Sequence, residues 1–296
     1  MLILISDAFD KTLPGLLAKY GEVTDDKGRL AEAEVVLVRS KTKCTKEWMD
    51  QAPKLKLIIR GGVGLDNIDC TYAQSKGVLV RNTAEASTTA VAELSFALII
   101  ALANDLIHAH NSMVEGKWLK KEVKRVELYG KTLGILGMGK IGTALAIRAQ
   151  AFRMKVLAWH PDVMFSDFAN IRPTLEEVVA QSDFVSLHMP LLSSTRGIIN
   201  KKTLGHFKHG CYMVNTGRGP LCVEQDIVEA LKSGQLAGYA TDVWASDPPE
   251  STPLVGAPNV LLTPHVGAST HENMLRIGTV IDMIIGEYVK GHLSVA

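Results

Sequence analysis

A strand-like run, Thr132-Leu-Gly-Ile-Leu136, passes directly into Gly137-Met138-Gly139-Lys140-Ile141-Gly142 and then into the helix-forming stretch Thr-Ala-Leu-Ala-Ile-Arg-Ala. Few folds accommodate that order. The first glycine lets the chain turn sharply at a strand end, the second lets backbone approach a pyrophosphate, and the third lets the following helix pack closely on the strand. The helix then offers an anion its unpaired N–H groups and the positive end of its dipole. The glycine pattern alone is weak; strand, glycines and helix in sequence are the context a dinucleotide-binding turn requires. NAD is therefore the expected cofactor, with NADP not excluded. The choice between them turns on the end of the next strand, Lys155-Val-Leu-Ala-Trp159, where an Asp or Glu would hold the ribose hydroxyls of NAD. His160 stands there instead, with Asp162 two residues later and no arginine pair, so the preference stays open.

Short aliphatic runs recur on both sides of this junction. They are Leu2 to Ile5, Val35 to Val38, Leu57 to Ile59, Leu79 to Val80, Phe184 to Leu187, Tyr212 to Asn215, Gly238 to Asp242 and Val260 to Leu262. Helically spaced stretches separate them, and such alternation means α/β architecture with parallel sheets covered on both faces. A length of 296 residues exceeds what one core usually supports, so two domains are expected. The pattern breaks over Ser87 to Asn111, read as one buried helix capped by Ser87-Thr88-Thr89. Glu115 to Leu128 reads as a charged loop.

Three more segments place polar residues at or beyond strand ends, where open parallel sheets bind ligands. They are Val214-Asn-Thr-Gly-Arg218-Gly-Pro220, Asp242-Val-Trp-Ala-Ser-Asp247-Pro-Pro249 and Leu262-Thr-Pro-His265-Val-Gly. Taken singly, each is as readily a capping, turn or loop residue. Together they suit one reaction. Oxidising a hydroxy acid requires removal of the hydroxyl proton as hydride leaves the adjacent carbon, and histidine suits that exchange near neutrality. Asp247 would orient His265 and favour its protonated form. Arg218, a permanent planar cation, would hold the substrate carboxylate.

With these segments in view, the chain resembles the D-2-hydroxyacid dehydrogenases, and among them the short-form D-3-phosphoglycerate dehydrogenases. The likeness extends through Ile59-Arg60-Gly61-Gly62-Val63-Gly-Leu-Asp-Asn-Ile-Asp69, Asn82-Thr83, Ala92-Glu93, Gly116-Lys-Trp118, His188-Met-Pro190-Leu191 and Thr263-Pro-His265. It implies two doubly wound parallel-sheet domains: a Rossmann nucleotide domain, 91–267, inserted in a flavodoxin-like substrate domain, 1–90 and 268–296. It implies Arg218, Asp247 and His265 as the catalytic set. His160, His188, Pro190, Thr216 and Asp242 join the glycine turn at the cofactor, and Arg60, Gly61, Gly62 and Val63 bind substrate. Phosphoglycerate oxidation for serine synthesis is the implied activity. Glyoxylate or hydroxypyruvate reduction is the nearest alternative, and a nucleotide-sensing corepressor-like binding protein is one from another class. A homodimer is implied, built on the apolar helix after Ser87 and the loop at Trp118.

The chain also departs from that pattern. The catalytic acid is usually Glu, so with Asp247 either the backbone moves in or a water bridges. Glu85-Ala-Ser-Thr88 replaces a neutral substrate loop. Arg81 and Lys41 are further candidates for a phosphate. The net charge of +1 argues against nucleic-acid and membrane surfaces as main partners, leaving a small anionic 2-hydroxy acid. Four scattered cysteines suggest neither a metal site nor a disulfide framework, which fits a reducing cytoplasm. No signal peptide, transmembrane segment or regulatory extension after Ala296 is expected.

Overall fold

The computed structural model describes residues 1–293 and divides into two compact units, one formed by Met1–Ser87 with the chain from Ala268 onward, the other by Thr88–Gly267. The first holds a five-stranded sheet of β1 (Leu2–Ile5), β2 (Glu22–Thr24), β3 (Val35–Val38), β4 (Leu57–Arg60) and β5 (Leu79–Asn82). Its order is β2-β1-β3-β4-β5 and every pairing is parallel. That is the flavodoxin-like order, whose switch point lies between β1 and β3.

β1 and β3 are buried at every position, which is why they appear in sequence as solid apolar runs rather than alternations. One face of this sheet is covered by the helix His271–Val289, where Ile277, Ile281 and Ile285 repeat every four residues and are fully buried. Each such side chain stabilises the unit by about 1.5–3 kcal/mol. Thr270 caps the helix by accepting from the Asn273 N–H at 3.1 Å.

The second unit carries β6 (Thr132–Leu136), β7 (Lys155–Trp159), β8 (Asn170–Ile171), β9 (Phe184–Leu187), β10 (Cys211–Asn215), β11 (Leu236–Thr241) and β12 (Val260–Leu262). Their order is β12-β11-β10-β9-β6-β7-β8, again all parallel. Strand order reverses between β6 and β9, so the crevice for a ligand opens there, at the carboxyl ends.

The apolar stretch after β5 differs from the sequence reading. It begins at Ala84 and forms two helices, Ala84–Ala103 and Leu106–Val114, separated at Asp105, whose φ of 49° is left-handed. Ser87 is therefore no cap: it is fully buried inside the first turns and accepts from Asn273 Nδ2 at 3.3 Å. By length and composition Ala84–Ala103 could cross a bilayer, but 56% of its most apolar 18-residue window is buried within the protein. Its Glu93 pairs with Arg148 at 2.9 Å. Those contacts account for its apolarity as a core helix.

Candidate active site

Everything at the carboxyl edge of the seven-stranded sheet follows from how the loops touch one another. Gly137 directly follows β6 with φ 105° and donates its N–H to Trp159 O at 2.9 Å. A Cβ there would lie 2.7 Å from the carbonyl of His188, so only glycine lets the two strand ends meet. Gly142 is pressed against the Gly137 carbonyl, where a Cβ would overlap it. Gly139 differs: it is the N-cap of the helix Lys140–Ala151, supplies no side-chain cap, and has nothing within 4 Å of where its Cβ would stand. Open space over uncapped helix N–H groups fits a pyrophosphate. Met138 is buried in the core, Ile141 packs against it, and Lys140 is exposed.

The opposite wall is His188, whose N–H donates to Leu136 O at 2.8 Å. Its Nε2 pairs with Ser186 Oγ at 2.9 Å, and its Nδ1 is buried with no hydrogen-bond partner. Burial lowers its pKa from 6.5 to about 4, so the ring is neutral near pH 7. The residue as a whole is partly exposed, but Nδ1 is not. The unfolded chain takes up a proton as pH falls below 6.5 while the folded one resists until about 4, so stability present above 6.5 is lost across that window. The loss should reach at most about 3 kcal/mol at the acid end. Denaturant midpoints from pH 7 to pH 4 should show this slope in the wild type and a flatter one in His188→Asn; equal slopes would remove His188 as its source.

From His188 the contacts run along the edge. A Cβ on Gly217 would come within 3.2 Å of Met189 O, so the turn after β10 lies against the His188 loop. In that turn Asn215 Nδ2 donates to Arg218 O at 2.9 Å, Asn215 Oδ1 accepts from Gly217 N at 3.1 Å, and Arg218 Nη1 donates to Gly217 O at 2.7 Å. Thr216 Oγ1 pairs with Ser95 Oγ at 2.8 Å in the interior. Gly219 then abuts the Trp244 backbone so closely that any Cβ would overlap it. Trp244 Nε1 donates to Thr263 O at 3.0 Å, which ties on the loop after β12.

That last loop carries His265. Asp242, at the end of β11 and 2% exposed, clamps it: Oδ1 accepts from Thr263 Oγ1 at 2.7 Å and Val266 N at 2.8 Å, and Oδ2 from Gly267 N at 2.8 Å. Within these contacts Asp242 holds the loop's backbone. His265 itself adopts φ 54°, an uncommon conformation for a side chain of its size and one that marks functional loops. Its Nδ1 donates directly to Asp247 Oδ2, so the short carboxylate closes the pair without a bridging water. Nδ1 being engaged, Nε2 is the nitrogen left to exchange a proton. Both side chains remain over a third exposed, at 36% and 38%. Arg218, Asp247 and His265 thus sit on three neighbouring loops of one edge.

The other predicted residues lie elsewhere. His160 directly follows β7, and its Nδ1 accepts from Asp162 N at 3.1 Å. Pro190 is exposed beyond His188. Arg60 belongs to the other unit, at the end of β4, where a Cβ on Gly62 would overlap its guanidinium. Gly61 N donates to Val38 O at 2.8 Å, and Asn82 Nδ2 donates to Val63 O at 2.6 Å. The sequence reading overlooked Arg39. It follows β3 as Arg60 ends β4, its backbone N–H donates to Asp7 Oδ2 at 2.6 Å, and its Cγ would lie 3.4 Å from a Cβ on Gly61. The signal was available: Val38-Arg39 and Ile59-Arg60 are the same strand-end pattern on adjacent strands.

Comparison with known proteins identifies the family. Residues 96–267 match the family model described as D-isomer specific 2-hydroxyacid dehydrogenase, NAD binding domain. A D-3-phosphoglycerate dehydrogenase of Methanocaldococcus jannaschii is 38% identical over 99% of this chain, but the chain spans only 58% of that protein's length. A hydroxypyruvate reductase of Thermotoga maritima is 42% identical over 84% of this chain and 82% of its own. A crystal structure of D-lactate dehydrogenase from Aquifex aeolicus, complexed with NAD and lactic acid, superposes with a TM-score of 0.87 at 28% identity, covering 99% of this chain and 96% of that one.

Proposed function

The chain belongs to the D-isomer specific 2-hydroxyacid dehydrogenases, and from that premise we propose that it oxidises a small anionic D-2-hydroxy acid, D-3-phosphoglycerate, in the service of serine synthesis. The observation that carries the reading is the His265–Asp247 pair, held by the Asp242 clamp on the same sheet edge as the Arg218 turn and the glycine turn. A bound nicotinamide dinucleotide supplies the hydride acceptor. His265 takes the hydroxyl proton at Nε2, and Asp247 stabilises the imidazolium that results. Arg218 binds the substrate carboxylate with a planar fork and, in the reverse direction, polarises the carbonyl oxygen. His188, kept neutral by burial, and the uncapped helix after Gly139 hold the cofactor. Arg60 at the end of β4, with Arg39 just after β3 and Arg81 within β5 as further candidates, receives the phosphate of the substrate.

A second substrate reading, hydroxypyruvate or glyoxylate reduction, is favoured by the Thermotoga maritima relative, 42% identical over 84% of this chain. A spectrophotometric survey of 2-hydroxy and 2-keto acids against both cofactors separates the two. Phosphoglycerate should be the best substrate, with Arg218→Lys raising KM more than it lowers kcat, by about tenfold. Ready reduction of hydroxypyruvate without phosphoglycerate oxidation would establish the second reading, and no turnover with any 2-hydroxy acid would sink both.

The working form we propose is a cytoplasmic homodimer. Leu106, Ile107, Met113 and Val114 on one helix, with Trp118 and Tyr129 after it, are exposed apolar side chains suited to a second copy. All four cysteines are free thiols, as a reducing compartment keeps them.

A further inference from the structure

The end of β7 lacks the acid that would receive a ribose diol, and the structure shows what stands beside it. β8 is an edge strand of two residues, parallel to β7, and directly after it the Arg172 N–H donates to Ala158 O at 2.8 Å. On the other side Gly137 N donates to Trp159 O at 2.9 Å. Three consecutive strand ends, β6, β7 and β8, therefore carry Gly137, His160 and Arg172 side by side. Since the glycine turn takes the pyrophosphate, the adenosine half extends over the ends of β7 and β8.

The polarity of that place is inverted from what NAD needs. A ribose diol donates, and a carboxylate accepts from it. His160 Nδ1 already accepts from Asp162 N at 3.1 Å, so the proton of the neutral ring resides on Nε2 and the free side of the imidazole is a donor. Arg172 is half-buried, its Nε is buried without a partner, and no hydrogen bond or ion pair engages its guanidinium among the described residues. Asp162 and Asp167, the acids of the intervening loop, are exposed and neither pairs with it. A donor and an uncompensated cation suit a phosphate.

We infer that this chain recognises the 2′-phosphate of NADP(H), with Arg172 as the cation and His160 as the hydrogen-bond donor, and so prefers NADP(H) to NAD(H). This rests on the dinucleotide site proposed above; the two cofactors share the pyrophosphate and nicotinamide and differ only where Arg172 and His160 stand.

The test is direct binding rather than turnover. Titrating the purified protein with NADPH and with NADH, following nucleotide fluorescence, should give a Kd for NADPH lower by about tenfold or more, the scale of one charge-assisted hydrogen bond. Arg172→Gln should weaken NADPH by about that factor and leave NADH within about twofold; Arg172→Lys should recover part of the loss, and His160→Asp should shift preference toward NADH. Melting curves establish that each variant is folded. Tighter binding of NADH by the wild type, or an Arg172→Gln variant that weakens both cofactors alike, overturns the inference while leaving the dehydrogenase reading intact. If neither cofactor binds, the dinucleotide site falls and this inference with it.

Discussion

His265→Ala should lower turnover by about a hundredfold to ten-thousandfold, the usual worth of a positioned general acid-base group, while the protein folds normally and still binds its cofactor. The side chain is 36% exposed and its ring is held by Asp247 alone among the described side chains, so truncation leaves no buried cavity and no orphaned core polar group. The loop it sits on is fastened through Thr263, Val266 and Gly267 to Asp242, none of which involves the imidazole. Loss should therefore appear in kcat, with cofactor Kd and melting temperature close to wild type. Turnover within a few-fold of wild type would remove His265 from the chemistry.

Gly142→Ala should be the most damaging small substitution in the nucleotide unit. The added methyl would overlap the Gly137 carbonyl and approach Ile135 Cγ2 to 3.1 Å, and a backbone oxygen at the heart of a turn cannot swing aside as a side chain can. Overpacking of this kind costs about 1–3 kcal/mol, or several degrees of melting temperature at roughly 2–4 °C per kcal/mol for a unit of this size. Dinucleotide affinity should fall with it because the glycine turn must open. Gly139→Ala is the contrasting control: its Cβ meets nothing within 4 Å, so melting should be unchanged, yet the methyl enters the space assigned to the phosphates and binding should weaken. Equal melting of both variants and wild type would show that the glycine turn is not packed as described.

The two variants illustrate what kind of information the sequence carries. Strands β1, β3, β6, β7 and β9 were legible to the residue because sheets covered on both faces bury nearly every side chain and a solid aliphatic run is then the signature, while the half-buried edge strand β12 was legible because its three residues are all aliphatic. β2 and β8 were missed for the opposite reason: they are edge strands of three and two residues with exposed or half-buried positions, and no apolar pattern marks them. The helix start was misplaced by three residues because Ser87 looks like a cap in isolation, whereas its hydroxyl is spent on Asn273, far along the chain.

Chemistry divides along the same line. Residue types and their placement after strand runs sufficed to single out the glycine turn, Arg218, Asp247 and His265, because parallel sheets put every such loop on one edge whatever else the chain does. Whether an aspartate can reach the histidine, that Asp242 spends both oxygens on backbone N–H groups, and that Arg172 arrives unpaired beside His160 were decided only in three dimensions. Strand burial is a local demand written in consecutive residues. Hydrogen-bond pairing between loops more than a dozen residues apart depends on register and φ angles that no single segment encodes.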